Sequence, residues 1–282
     1  MRLIRFIFVV ASASLFLLPV VSARKVSPLF DDNITYSTPD QLEEDIKQAP
    51  CKNSDRLKVA QSLFEKAGAK PEDISIAKIG GIKNLVIKKS GKPDEIVIIG
   101  AHYDKVEYGC GAIDNWTGIV AIAHLYKALK DYPTTKTLLF VGFDQEEKGL
   151  LGSHAMVDAI PKDQRIHYCA MINIDSLGMT YPHAPTNMSS KKIMDTAAAT
   201  AKEMGIQFTE SPIHDADADS SSFVDKKIPA ITFDGLTSDW PNVLHSVRDQ
   251  VAKVNPQSVY IGYRLALALT QKVDSASCES FR

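Results

Sequence analysis

The sequence predicts an α/β fold in three layers, with helices on both faces of a mixed, mainly parallel central sheet. After residue 95, short apolar runs alternate with amphipathic helical patterns, which is the order of parallel strands joined by helices. Two earlier strand patterns, at 74–77 and 84–88, follow one another closely and predict antiparallel neighbours. The chain has 282 residues, of which 45% are hydrophobic, so it can bury one large core.

Local signals place each element. Thr38-Pro39 predicts a helix start, and Gly68 ends a second helical pattern. Pro161 ends a later helix, and Pro256 begins the last one. The continuous apolar runs predict strands that are buried on both faces. The predicted strands lie at 74–77, 84–88, 96–100, 137–143, 168–174 and 230–233, and the helices after residue 53 lie at 54–67, 115–130, 149–160, 191–203 and 256–272.

Residues 1–23 have the pattern of a secretory signal peptide. Arg2 and Arg5 precede an apolar run that ends in a small-residue cleavage site. The alternative is an uncleaved membrane anchor, since residues 4–21 approach spanning length, but polar residues within the run favour cleavage. We therefore expect an exported, periplasmic or extracellular protein with a single domain at 24–282 and no stable membrane association after cleavage.

Charge and cysteine content narrow the classes of partner and of site. The formal net charge is −2, which gives no support to nucleic acid as a partner. Four cysteines in an exported chain permit two disulfides in any of three pairings. Their spacing contains no C-x-x-C pair, so a zinc ribbon is not predicted. The sequence leaves the oligomeric state open.

Histidines and carboxylates follow the ends of all four strands of the predicted parallel region. In open α/β sheets, ligands bind outside the carboxyl ends of the strands. Imidazole nitrogens and carboxylate oxygens that converge there suit zinc or a similar divalent ion. The residues are His102 and Asp104 after the first strand, Asp114 in the following loop, Glu146 and Glu147 after the second strand, Asp175 after the third and His245 beyond the fourth.

The number of donors predicts two metal ions. A catalytic zinc takes three protein ligands and keeps one position open. Two histidines and three carboxylates are one ligand short of two such sets, and a carboxylate that bridges both ions makes up the difference. Paired ions about 3.5–4 Å apart are a known arrangement in hydrolases and aminopeptidases.

These residues stand in the order of a known family. The sequence resembles the co-catalytic dizinc aminopeptidases of the leucyl aminopeptidase type, which are related to glutamate carboxypeptidase and glutaminyl cyclase. The resemblance implies a zinc-exopeptidase-like fold for the whole domain. It rests on His102-Tyr103-Asp104, Gly111-Ala112-Ile113-Asp114-Asn115, Glu146-Glu147-Lys148-Gly149-Leu150-Leu151-Gly152-Ser153, Asn173-Ile174-Asp175 and His245.

The resemblance also implies a role for each position. Asp114 is expected to bridge two zinc ions. His102 and Asp175 are expected to complete one zinc site, and Glu147 and His245 the other.

Two further carboxylates are expected to act without binding metal. Glu146 is the expected general base, which accepts a proton from a water whose pKa zinc lowers and passes it to the leaving amine. Asp104 is expected to hold the ring of His102, as ligand histidines usually require.

Three places depart from the family's pattern or extend it. The family's Ser-Asp-His-x-x-Phe segment is degenerate at 218–223, and Asp219 is expected to orient the substrate or a ligand histidine. Leu244 stands where many relatives have an aromatic residue, and we expect the nearby Asp239-Trp240 to line the pocket wall. Cys110 is expected in a disulfide or as a buried thiol, with an extra zinc ligand as the less favoured alternative.

The leading interpretation is an exported dizinc exopeptidase that removes N-terminal residues from peptide substrates, with apolar side chains preferred as the resemblance implies. A glutaminyl cyclase would use a single zinc and would not need His102. A glutamate-type carboxypeptidase would place arginines near the site, where only Arg248 lies close to a motif. A non-catalytic binding relative is disfavoured because the five ligands and Glu146 are all present.

Overall fold

The computed structural model describes residues 34–282, and in that range the chain forms a six-stranded sheet and a two-stranded one. The predicted signal peptide lies outside the described residues. The strands are β1 (Ile74–Ile79), β2 (Ile82–Lys89), β3 (Lys92–His102), β4 (Lys136–Phe143), β5 (Tyr168–Ile174), β6 (His183–Pro185), β7 (Thr209–Ser211) and β8 (Ala230–Phe233).

The large sheet is mixed, as the sequence predicts. Its order is β1-β2-β4-β3-β5-β8. The pairs β1–β2 and β2–β4 are antiparallel, whereas β4, β3, β5 and β8 run parallel to one another. His102, the last residue of β3, pairs with Phe143, the last residue of β4. The carboxyl ends of these central strands therefore meet at one edge.

Helices cover both faces of this sheet, which confirms the three-layer prediction. Successive residues of β3 alternate between the two faces: Val97 and Ile99 belong to the larger core, and Ile98 belongs to the smaller one. The helices are α1 (Pro39–Ile46), α2 (Asn53–Lys66), α3 (Thr117–Leu129), α4 (Leu151–Asp158), α5 (Lys191–Met204), α6 (Asp219–Asp225) and α7 (Pro256–Ser275). Of these, α4 and α6 pack on the side of the smaller core, and the other five on the side of the larger one.

Two predicted helix starts are wrong. Residues 112–116 form an irregular turn, in which Asp114 has φ −113° and ψ 92°, so α3 begins at Thr117 and not at 115. Gly149 and Leu150 adopt positive φ of 94° and 58°, which no helix accommodates, so α4 begins at Leu151 and not at 149. Both deviations occur where the chain turns past the sheet edge described above. Strands β6 and β7 and helix α6 were not predicted.

Two disulfides tie distant parts of the chain together. Cys51 is bonded to Cys110, and Cys169 is bonded to Cys278. The first bond resolves the alternatives for Cys110, which is not available as a metal ligand in this state. Within the described range, no helix is both long enough and apolar enough to cross a membrane.

Candidate active site

The seven predicted site residues meet at the carboxyl ends of the central strands. His102 ends β3, and Asp175 directly follows β5. Glu146 and Glu147 begin a short turn three residues beyond β4. The remaining residues are Asp104 just after β3, Asp114 in the turn before α3, and His245 in the loop after β8.

Five of these residues form two clusters that share one carboxylate. The first cluster consists of His102, Asp114 and Asp175, and the second of Asp114, Glu147 and His245. In each cluster the potential ligand atoms lie within 4.8 Å of one another. The geometry thus matches the predicted division into two sets with Asp114 in common.

Asp114 turns a different oxygen to each cluster. Its Oδ1 lies 3.1 Å from Nε2 of His102, and its Oδ2 lies 3.1 Å from Nε2 of His245. His102 Nε2 is also 3.5 Å from Oδ1 of Asp175, and His245 Nε2 is 3.0 Å from Oε2 of Glu147. One carboxylate can therefore serve two cations side by side.

The donor set fits a pair of zinc ions. It offers only imidazole nitrogens and carboxylate oxygens, with three donors in each cluster, as catalytic zinc requires. Oε1 of Glu147 is buried and has no hydrogen-bond partner among the described residues, so it is free to accept a cation. Crowded, buried carboxylates of like charge are costly unless cations compensate them.

The protonation of the site reflects this excess of negative charge. Burial acts to lower the pKa of His102, but the charges of Glu146 and Asp175 outweigh it and raise that pKa well above its ordinary value. Burial raises the pKa of Glu146 well above the ordinary value for a glutamate.

Glu146 stands apart from both clusters while remaining close to them. Its Oε2 lies 3.9 Å from Nε2 of His102, farther than the carboxylates that belong to the cluster. The preceding Gln145 has a positive φ of 57°, which helps turn the chain back at this point. The adjacent Glu147 points to His245. The pair can therefore divide the tasks of ligand and proton acceptor.

Asp104 lies against the His102 ring and also contacts the turn that carries the two glutamates. Nδ1 of the His102 ring lies closest to the backbone carbonyl of Asp104, at 3.2 Å, and 3.5 Å from its carboxylate. The carboxylate instead accepts hydrogen bonds from the backbone N–H groups of Glu146, at 2.9 Å, and of Glu147, at 3.3 Å. Asp104 thus fixes the ring mainly through its main chain, and the glutamate turn through its side chain.

The turn that carries Asp114 is held by a residue that the sequence analysis assigned no role. The buried carboxylate of Asp249 accepts the backbone N–H groups of Ile113, at 2.8 Å, and of Asp114, at 3.1 Å. The Asp249 carbonyl accepts the N–H of Cys110 at 2.8 Å. Its position four residues after His245 could have indicated this role, because an acidic residue close to a predicted ligand can accept hydrogen bonds from a neighbouring loop.

Asn115 links the same turn to β5 and to α3. Its Nδ2 donates to the carbonyl of Ile174 at 2.8 Å, and its Oδ1 accepts the N–H groups of Gly118, at 3.0 Å, and of Ser176, at 3.1 Å. The bond to Gly118 satisfies a free N–H donor in the first turn of α3. Asp114 and Asp175 are thereby tied to each other through the neighbouring amide.

A cavity of about 450 Å³ opens over the two clusters. Trp240 and Leu244 line its wall, which confirms the expectation for Trp240. Asp219 is fully buried but is not among the lining residues, and burial raises its pKa to about 7. No arginine or lysine of the described residues lines the cavity. The other lining residues include Leu150, His154, Pro185, Met188, Ile213, Asp215, Asp217, Asp234 and Leu236.

Comparison with known proteins places this site in a family. Residues 84–270 match the model of peptidase family M28, a range that includes both clusters. The chain belongs to peptidase family M28. Among curated relatives of this M28 chain, Aminopeptidase YwaD of Bacillus subtilis is 28% identical over 151 residues, which span 48% of this chain and 33% of that protein. The aligned part thus covers about a third of that relative's length.

Solved structures of other proteins share the fold of this M28 chain. BSAP, a zinc aminopeptidase from Bacillus subtilis, has a TM-score of 0.61 and 22% identity, over 71% of this chain and 54% of that one. A glutaminyl cyclase from an Acidobacteriales bacterium has a TM-score of 0.71 and 16% identity, over 86% of this chain and 96% of that one. Both confirm the predicted fold class, and neither likeness by itself identifies the reaction.

Proposed function

We propose that this M28 peptidase is an exported aminopeptidase that binds two zinc ions and removes N-terminal residues from peptides. The observation that carries the proposal is the pair of three-donor clusters that share Asp114 at the floor of an open cavity. The sequence pattern of residues 1–23 supports export.

In this proposal, Asp114 is the common ligand. His102 and Asp175 hold one ion, and Glu147 and His245 hold the other. When bound, the two ions polarise the scissile carbonyl and lower the pKa of a bound water towards neutral.

Glu146 moves the proton. It lies beside the first cluster without belonging to it, so its carboxylate is free to accept a proton from the attacking water and to give it to the leaving amine. Asp104 keeps Glu146 in place through the backbone hydrogen bond at 2.9 Å.

The charges of the cavity favour the amino end of a peptide over the carboxyl end. Asp215, Asp217 and Asp234 line it together with the clusters, and no cationic side chain of the described residues other than histidine does. Arg248, which a carboxypeptidase could have used, donates to the carbonyl of Asn242 and does not line the cavity. A substrate ammonium group is attracted to such a wall, whereas a terminal carboxylate is repelled.

The apolar part of the wall favours an apolar side chain on the residue that is removed. Leu150, Met188, Ile213, Leu236 and Trp240 all line the cavity. Each methylene group that such a wall removes from water contributes about 0.8 kcal/mol. We therefore propose leucine-like N-terminal residues as the preferred substrates.

Glutaminyl cyclisation is the alternative reaction. It would require one zinc, and the first cluster, with His102, would then have no use as a metal site. The presence of two complete clusters that share one carboxylate favours the two-ion hydrolase.

The test counts metal and turnover on one purified sample. We expect two zinc ions per chain. We also expect chelator-sensitive release of 4-nitroaniline from leucyl 4-nitroanilide, and slower release from glutamyl 4-nitroanilide. One zinc together with cyclisation of a glutaminyl substrate would establish the cyclase instead. A protein with neither metal nor turnover would contradict both reactions and leave a binding role.

A further inference from the structure

Residues 51–56, which include the first turn of α2, are attached at two points to the loop between β3 and α3. The disulfide joins Cys51 to Cys110. The Asn53 side chain donates to the Lys105 carbonyl at 2.7 Å and accepts the Lys105 N–H at 3.0 Å. This short segment precedes the part of the chain that the family model matches. Its contacts nevertheless reach the loop that runs between two proposed metal ligands.

Arg56 makes a third attachment from inside the protein. Its side chain is fully buried, and its guanidinium donates hydrogen bonds to the carbonyls of Tyr103, of Cys110 at 2.9 Å and of Gly111 at 3.1 Å. It also donates to the carbonyl of Pro50 at 3.1 Å. Tyr103 directly follows the end of β3, and Gly111 begins the turn that precedes α3. One side chain therefore joins the two backbone stretches from which His102 and Asp114 project.

The turn at 111–114 is thereby held at both ends. Arg56 binds the Gly111 carbonyl, and Asp249 binds the N–H groups of Ile113 and Asp114. Gly111 has a positive φ of 57°, and a Cβ there would lie 2.7 Å from Cβ of Lys105, so the backbone has little freedom to shift. Metal sites need their ligands held to within about 0.5 Å.

The positive charge of Arg56 is not expected to strengthen metal binding. The negative charges of Asp104, Asp114 and Glu147 stabilise the buried guanidinium through space. That same positive charge opposes the binding of divalent cations nearby. A contribution of Arg56 to metal binding must therefore come from its hydrogen bonds and not from its charge, and a lysine at this position separates the two effects.

We propose that Arg56 is a positioning residue. Together with the Cys51–Cys110 disulfide, it fixes the backbone around His102 and Asp114 and so sets the zinc affinity of the site. The proposal rests on the proposed function, because it takes these two residues as zinc ligands. Since Asp114 belongs to both clusters, loss of the positioning weakens both zinc-binding steps.

The experiment measures zinc dissociation constants on the full chain by competition with a chromophoric chelator, and records the visible spectrum of the Co²⁺-substituted protein. Arg56→Lys keeps the charge but cannot reproduce the planar set of donors. We expect Arg56→Lys and Arg56→Gln each to raise both zinc dissociation constants about 10–100-fold and to alter the cobalt spectrum. Arg264→Gln removes a partly buried arginine from α7 and is expected to change neither.

A second pair of variants covers the possibility that the Arg56 variants do not fold. Cys51→Ala with Cys110→Ala removes a different attachment between the same two segments, the disulfide. Cys169→Ala with Cys278→Ala removes the other disulfide and is its control. Only the first pair is expected to weaken zinc binding. Equal zinc affinities in the wild type and in the folded variants of the 51–56 segment would overturn the positioning role while leaving the metal site intact. A wild type that binds no zinc would instead overturn the metal site and this proposal with it.

Discussion

The carboxylate of Asp104 accepts the backbone N–H of Glu146 at 2.9 Å, so the residue two positions after one proposed ligand fixes the proposed general base. Asp104 lies just beyond β3, and Glu146 lies beyond β4, which pairs with β3 in the sheet. The position of the proposed general base therefore depends on the register between β3 and β4.

Replacement of Asp104 by asparagine tests this relationship. An asparagine oxygen can accept one of the two N–H groups, but its amide nitrogen then faces the other N–H as a second donor. We expect kcat/KM for a leucyl anilide to fall about 10–100-fold, with the fold retained. Asp163→Asn, an exposed carboxylate, is the control and is expected to leave turnover unchanged. Wild-type kcat/KM in Asp104→Asn would show that the Glu146 turn holds its position without this contact.

Glu146→Gln separates metal binding from proton transfer. The amide cannot accept a proton, and Glu146 belongs to neither three-donor cluster. We expect the variant to keep its zinc while kcat falls about 10²–10⁴-fold, the usual contribution of a general base. Zinc is counted by atomic absorption and turnover with a leucyl anilide, with Glu72→Gln as the surface control. Undiminished kcat would remove Glu146 from the role of base.

Removal of metal is expected to lower the melting temperature. An ion that binds only the folded chain, and is present at 100 times its dissociation constant, adds about 2.7 kcal/mol to the free energy of unfolding. For a domain of this size, the corresponding shift is roughly 5–10 °C, reversible on addition of zinc. The measurement is a thermal melt with and without chelator.

His245→Asn is the matched variant for that melt. His245 is a half-exposed residue with a positive φ of 55°, a conformation that asparagine tolerates better than most residues. We expect this variant to show a smaller chelator-induced shift, because one cluster has lost a ligand. A shift as large as that of the wild type would exclude His245 as a ligand.

Asp45, on α1, is expected to make the free energy of unfolding depend on pH. Burial raises the pKa of Asp45, but hydrogen bonds from His124, at 3.0 Å, and from Lys66, at 2.7 Å, outweigh it and hold the pKa below its ordinary value. Because the folded-state pKa is lowered, this contribution is present at neutral pH and is lost as the pH falls through that value.

We expect Asp45→Asn to lower the free energy of unfolding by about 1–3 kcal/mol at pH 7. The difference from the wild type should shrink below about pH 4, where the unfolded aspartate also takes up a proton. Urea unfolding at pH 7 and at pH 3.5 measures both values. A difference that is constant between the two pH values would contradict the assignment to an ionised Asp45.

The Cys169–Cys278 disulfide is expected to affect stability but not the site. It closes a loop with a sequence separation of 109, and removal of such a native bond typically costs about 2–5 kcal/mol. Cys169 lies at the amino end of β5, whereas Asp175 follows its carboxyl end, roughly 20 Å away at the usual rise per residue. Urea unfolding and the leucyl anilide assay on Cys169→Ala with Cys278→Ala check the two parts. A loss of kcat/KM in the folded variant would contradict the separation.

The strands were predictable because their burial leaves a simple pattern. The ranges predicted at 168–174 and 230–233 coincide with β5 and β8, whose continuous apolar runs reflect contact on both faces. β6 was missed because three residues that include Pro185 carry no alternation. The start of α3 was predicted two residues too early because Asn115, with φ −135° and ψ 50°, is not helical.

The residues of the candidate site could be predicted from the sequence, but the hydrogen bonds that hold them in place could not. Histidines and carboxylates at strand ends indicated the two clusters, because the sheet brings those ends together. Arg56 gave a weaker signal: it shares the buried stripe of α2 with Ala60, Leu63 and Phe64, where a cation is unexpected. The hydrogen-bond acceptors of Arg56 are main-chain carbonyls, and because every residue has one, the sequence does not indicate which of them Arg56 contacts.

The two clusters draw on side chains from position 102 to position 245, so no short fragment of the chain contains them all. A chain still emerging from the ribosome lacks His245 until most of its sheet has been synthesised, and the pairing of parallel strands far apart in sequence is slow to form. The three donors of the second cluster are therefore brought together only after His245 has been synthesised. The spacing of the proposed ligands thus couples completion of the metal site to completion of the fold.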